Sequence, residues 1–134
     1  MGKGPIEQSN VDMMWAHCQK LKEVSTYPCY GGELTENGIL TECKPSLDTI
    51  AAWMSDKDWM AGKNITWIDF MFWENLEMLD FLAKGHFDEF YPAFAGYRKR
   101  FSTNPEFAKI WASDDKCMKY PFNGDQARFG ANEN

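Results

Sequence analysis

The residues of this 134-residue chain best suited to hold a metal or attack a substrate are two histidines and four cysteines. His17 and Cys18 are adjacent, which on a helix sets their side chains about 100° apart, so they diverge instead of closing on one ion. His86 stands alone, and Cys18, Cys29, Cys43 and Cys117 lack the short paired spacing of a zinc site or a redox motif. They read as free thiols, and no metal is expected. There is no Gly-x-Ser-x-Gly elbow, phosphate loop or dinucleotide fingerprint to announce a catalytic centre. Asn64-Ile65-Thr66 is formally a glycosylation sequon, which carries little weight without a leader peptide.

Charge and composition narrow the partners. There are 14 basic residues against 20 acidic ones, giving a net charge of −6 and a pI near 4.9. Nucleic acid is not expected, because phosphate binding needs a basic patch. The only short basic cluster, Arg98-Lys99-Arg100, reads as a solvated helix face. No apolar run reaches 18 residues and no charged-then-apolar leader opens the chain. The expectation is a soluble intracellular protein without membrane insertion, cytoplasmic by default, with an organelle or cytoskeletal assembly left open. At 44% hydrophobic and 16% aromatic the chain is too rich to be disordered. Its length suits one domain, with residues 1–8 as a loose lead-in and 9–134 as the folded unit.

The elements that must position everything else centre on Trp59 to Leu82. Thr66 followed three residues later by Asp69 is a capping-box pattern. The Thr hydroxyl can accept from the Asp69 amide and the Asp carboxylate from the Thr66 amide. Ile65 before the cap and Phe70 four residues after it have the spacing of a hydrophobic staple. The spacing predicts a helix starting near Trp67. Its apolar residues go most of the way round the wheel, the pattern of a central buried helix.

Ahead of it, Ser9 or Asn10 can cap a first helix running to about Tyr27, where Pro28 ends or kinks it. Val11, Met14, Trp15, Cys18, Leu21 and Lys22 recur at helical spacing, with Lys22 snorkelling at the edge. The next stretch contains Asn37-Gly38, a turn signal, and Pro45; one bent helix and two short ones both fit. Ala83-Lys84-Gly85-His86 reads as the stop of the central helix. Tyr91-Pro92 opens another, with Phe94, Tyr97, Arg98 and Phe101 on one face. A short helix from Pro105, with Phe107, Ile110 and Trp111 inward, precedes a tail from Asp114. The fold class is all-α, about five helices, with no period-two strand pattern.

The run Trp59-x-Ala61-Gly62-x-x-Ile65-Thr66-x-x-Asp69-Phe70 resembles the start of the central helix in the C-terminal domain of cytosolic glutathione S-transferases. Val11-Asp12, Cys29-Tyr30, Phe87-Asp88-Glu89-Phe90 and the Pro121 tail follow in order, most similar to the mu class. The resemblance implies a helical bundle and favours one long second helix. It implies a remnant of the pocket for a hydrophobic second substrate at Thr26, Tyr30, Asn123 and Gly124. Family members hold glutathione on a thioredoxin-like N-terminal domain, to which nothing in this sequence corresponds. Mu-class relatives also place an aspartate on the first helix to reach glutathione in the opposite subunit; Lys20 stands there, and a cation repels that ammonium.

Three functions follow as expectations. The first is a non-catalytic interaction or scaffold subunit of a larger assembly, without a cofactor. The second is part of a glutathione transferase, with glutathione held by a separate chain. The third is a carrier of hydrophobic ligands. The resemblance also implies helix faces that lack a covering layer. Met13, Met14, Trp15, Tyr30, Phe122 and Phe129 are the expected interface, meeting a protein partner or a second copy.

Overall fold

The computed structural model describes residues 4–105. Within them lie five α-helices: α1 Pro5–Thr26, α2 Glu36–Met54, α3 Trp67–Leu82, α4 Phe87–Phe90 and α5 Ala95–Ser102. Short 3-10 turns at Tyr27–Cys29 and Pro92–Phe94 follow α1 and precede α5. Among the described residues there is no strand, only a single bridge between Trp59 and Gly62. No described helix is long and apolar enough to cross a membrane.

The first helix begins five residues earlier than a Ser9 cap allows. Pro5 occupies the first helical position behind Gly4, whose φ of 86° is open to glycine. Proline's fixed φ suits that position and its missing N–H costs nothing there. Residues 5–8 are therefore helix, not loose lead-in, and Ser9 and Asn10 lie inside α1. Asn10 instead spans to the loop before α3, its Nδ2 donating to the Ala61 carbonyl at 2.9 Å. Asn64 Nδ2 donates to Glu7 Oε1 at 3.1 Å, a second tie between that loop and α1.

The second stretch is one helix with Pro45 inside it. Asn37-Gly38 makes no turn, because Thr35 caps the helix by accepting from the Gly38 N–H at 3.0 Å. A Cβ on residue 38 would stand 3.3 Å from that same hydroxyl oxygen, so the cap favours glycine for its closeness. Pro45 removes a bond to the Thr41 carbonyl without ending the helix. Leu47, Ile50 and Met54 continue the buried face beyond it.

Packing follows the apolar spacing. Val11, Met14, Cys18 and Leu21 of α1 meet Ile39, Cys43, Leu47 and Ile50 of α2 and Ile68, Phe72, Leu76 and Leu79 of α3 in one buried cluster. Each such large side chain contributes about 1.5–3 kcal/mol by leaving water. Trp15 and Lys22 fall outside this stripe and are exposed. The central helix is not buried all round. Trp67, Phe70 and Phe81 remain 42%, 42% and 40% exposed on the side that also carries Glu74, a turn of the wheel away from Phe72 and Leu79.

α3 stops as its sequence says. Gly85 turns at φ 84° and its N–H reaches back to the Asp80 carbonyl at 2.9 Å. The Tyr91-Pro92 segment forms a 3-10 turn before the α-helical ladder begins at Ala95. Phe94, Tyr97 and Phe101 then point inward as expected. Pro105 is helical, and the continuation through Phe107, Ile110 and Trp111 lies outside the described residues.

Candidate functional site

The most connected polar group sits at the start of α3. Asp69 is fully buried. Its Oδ1 accepts from the Met60 N–H and the Tyr97 hydroxyl, each at 2.9 Å, and its Oδ2 accepts from the Thr66 N–H at 2.9 Å. The capping box is in place, but its halves are unequal. The carboxylate half is well formed, whereas Asp69's own N–H bonds the Thr66 carbonyl at 3.0 Å and Thr66 Oγ1 is buried without a well-formed partner. Trp53 adds a bond from its indole N–H to the Met60 carbonyl at 2.8 Å. Phe70 meets Phe101 of α5 edge-on at 5.1 Å, while Ile65 packs against the core.

Burial pushes the titratable groups of this cluster toward their neutral forms. Burial raises the pKa of the Asp69 carboxyl, and the surrounding donors pull against that shift without cancelling it. Burial, then the nearby Asp69 charge, pushes the Cys18 thiol up to about 12. Burial, then Cys29 and Glu42, does the same to Cys43, up to about 12. Thiols held protonated at neutral pH are poor nucleophiles. Cys18, Cys29 and Cys43 are buried, Cys29 with its Sγ donating to the Ser25 carbonyl at 3.3 Å, and Cys117 lies outside the described residues. Among the described residues no three His, Cys, Asp or Glu side chains group to hold a metal.

Of the basic cluster, Lys99 and Arg100 are exposed as a solvated face requires, and Arg98 is not. Arg98 has a side chain only 14% exposed, with Nη2 3.0 Å from Glu77 and 3.3 Å from Asp80, and Nη1 2.7 Å from Asp88. It clasps α3, α4 and α5 together. Burial alone would lower its pKa; the bonds to Asp88 and Glu77 outweigh that and raise it. Helical spacing places Arg98 one residue from Tyr97, but it does not reveal three carboxylates gathered from two other helices. Tyr97 was legible only as an apolar position. The clue to its role is that a buried tyrosine hydroxyl needs an acceptor, and Asp69 is the most deeply buried acid among the described residues.

The expected substrate-pocket remnant is half described. Thr26 ends α1, with Oγ1 buried and lacking a hydrogen bond. Tyr30 follows the 3-10 turn with 42% of its surface exposed, its N–H bonded to the Tyr27 carbonyl at 3.0 Å. Both sit at the C-terminal end of α1; Asn123 and Gly124 lie outside the described residues. Of the expected interface, Met13 and Trp15 are 41% and 45% exposed. Met14 is a correction: at 1% exposure it belongs to the core, three residues after Val11 and four before Cys18 on the same stripe. Phe122 and Phe129 lie outside the described residues. Lys20 is exposed on α1.

Known proteins match this arrangement. The family described as "Glutathione S-transferase, C-terminal domain" matches residues 34–114, more than half of the chain. The mu-class 26 kDa glutathione S-transferase isozyme 51 of Fasciola hepatica is 24% identical, over 99% of this chain and 61% of its own length. Glutathione S-transferase Mu 5 of Rattus norvegicus is 25% identical, over 92% of this chain and 55% of its own. The hematopoietic prostaglandin D synthase of Gallus gallus is 27% identical, over 80% and 55%. The chain thus spans about three-fifths of the length of the Fasciola relatives. With the helical bundle, the box that opens α3 and this match together, the chain belongs to the glutathione S-transferase C-terminal domain family.

Proposed function

We propose that these 134 residues act as a non-catalytic interaction module, a subunit of a larger protein assembly or of a self-associated form. The observation that carries the reading is the outer side of α1. Ile6 and Met13, seven residues apart on one flank of the buried stripe, are 79% and 41% exposed; Trp15, on the other flank, is 45% exposed, and Tyr27 just past the helix end is 67% exposed. Large apolar groups left exposed along one helix favour a protein partner. At ~25 cal/mol per Å², covering even a modest patch yields several kcal/mol before the entropy of association is met. Light scattering across a dilution series, with solvent labelling of Trp15, tests this. Concentration-dependent mass with Trp15 protected at high concentration supports it. A strict monomer with Trp15 already shielded overturns it.

A second reading makes these residues the helical half of a glutathione transferase whose glutathione site lies on another polypeptide. The names of the mu-class relatives favour it. Lys20 opposes it, since a cation at that position repels the ammonium of the tripeptide. Calorimetric titration with glutathione, alongside turnover of a generic electrophile, separates the two. Saturable turnover well above the uncatalysed rate would make the chain an enzyme.

A further inference from the structure

A cleft of about 440 Å³ opens between the end of α2, the loop behind it and the start of α5, away from Thr26, Tyr30 and the exposed side of α1. Its size lies within the range of small-molecule sites. Met54, Phe94 and Tyr97 line it and are all buried, which makes its base apolar. The rim is charged. Lys57 and Asp56 neutralise each other at 2.8 Å. That leaves Arg100 and Asp58, neither in an ion pair with another described residue. Arg100 Nη2 donates to the backbone carbonyl of Asp58 at 2.9 Å, which holds the guanidinium beside that residue. Its Nη1 lies over Gly96, 3.6 Å from where a Cβ would stand, so the absent side chain leaves this edge open.

We propose that this cleft binds a free α-amino acid with an aromatic or large aliphatic side chain. A cation and an anion on this rim, neither ion-paired with another described residue and the cation also lying over the Trp59 and Tyr97 rings, suit a ligand whose carboxylate and ammonium share one carbon, and the apolar base takes its side chain. A guanidinium matches a carboxylate with two parallel bonds. Either charge alone would leave one rim group without a partner. The proposal does not depend on the reading of α1 above.

The test is an amide-resonance titration of the full chain with L-phenylalanine. Phenylpropionate, which lacks the ammonium, and phenethylamine, which lacks the carboxylate, serve as controls. Saturable shifts confined to residues 51–58 and 93–100 are expected, with each control at least tenfold weaker. Arg100→Gln should weaken phenylalanine at least tenfold, and Asp58→Asn should weaken it while leaving phenylpropionate unchanged. Gly96→Leu fills the open edge with a better helix former, so it should abolish binding in a folded chain. Absence of saturable shifts, equal binding of phenylpropionate, or undiminished binding by Arg100→Gln or Gly96→Leu would each overturn the proposal.

Discussion

Asp69 and Arg98 each gather three partners, and they do it in opposite ways. Asp69 is a buried anion satisfied by neutral donors, two of them backbone amides fixed by the chain itself. Arg98 is a cation whose two terminal nitrogens meet side-chain carboxylates while its Nε is buried without a hydrogen-bond partner, and Asp88 is still 49% exposed. Removing a hub of the first kind leaves buried donors with nothing to bond. Removing one of the second kind leaves carboxylates that water and salt can reach. The first sort of cluster decides whether the helix starts where it does, and the second adjusts how tightly neighbours hold together.

The sharpest way to break the comparison is Asp69→Ala. It removes the cap of α3 and strands the Met60 and Thr66 amides and the Tyr97 hydroxyl. One unmet buried group costs about 1–3 kcal/mol, so the total loss is expected at roughly 3–5 kcal/mol. Chemical denaturation reads it directly. A midpoint unchanged within error would mean that water replaces the carboxylate and the node is not buried in solution. Tyr97→Phe is the next step down. It deletes one donor and keeps the ring that packs against Phe72 and Trp59, so about 1–2 kcal/mol is expected. Because burial holds the Asp69 pKa above its ordinary 3.8, its linkage sign follows. A raised folded value gives stability that is full below 3.8 and declines as pH rises through the folded pKa. Losing the Tyr97 donor raises that pKa further, so the cost of Tyr97→Phe should grow from pH 3 to pH 7. An equal cost at both would show that the hydroxyl does not sense the carboxylate's charge.

What the sequence disclosed tracks how local the physics is. The start of α3 at Trp67 was legible because Thr66 and Asp69 are three residues apart and the cap is made within one turn. The stop at Gly85 was legible for the same reason. The stripe of α1 was legible at Val11, Met14, Cys18 and Leu21, but Trp15 and Lys22, which the spacing included, are exposed; Met14 carried a second duty at the interface, and burial decided for the core. The beginning of α1 was missed because Ser9 and Asn10 are good caps in isolation, yet Asn10 is used 51 residues away at Ala61. Arg98 was missed for a like reason, its acids lying 10 to 21 residues off on other helices. No spacing rule encodes contacts that exist only after the bundle has closed. The candidate site fared likewise: the exposure of Met13 and Trp15 was implied by the resemblance, whereas helical spacing alone put Trp15 on the buried stripe, and a cleft assembled from a loop and a distant helix start had no local signal.

The smallest expected effect sharpens the contrast most finely. Arg98→Met keeps an apolar stem near Phe87, whose ring lies 5.8 Å from the guanidinium carbon, and removes only the charge. Glu77 already has its pKa raised above 4.5, by burial first, with Arg98 opposing that shift. Without Arg98 the folded pKa climbs further, and Glu77, Asp80 and Asp88 repel one another. A carboxyl with a raised folded pKa supports stability below its unfolded value and loses that support as pH rises through the folded one. The variant's deficit should therefore be smallest at about pH 3, below the ordinary range of Glu77, and reach about 1 kcal/mol at pH 7. Raising salt toward 1 M, where the screening length falls to about 3 Å, should shrink the deficit at pH 7. The loss in Asp69→Ala should not respond to salt in this way. Denaturation curves at two pH values and two salt concentrations test both variants together. A deficit in Arg98→Met that ignores both pH and salt would mean that Arg98 holds the helices by packing on Phe87 rather than by charge, and the two clusters would then be of one kind.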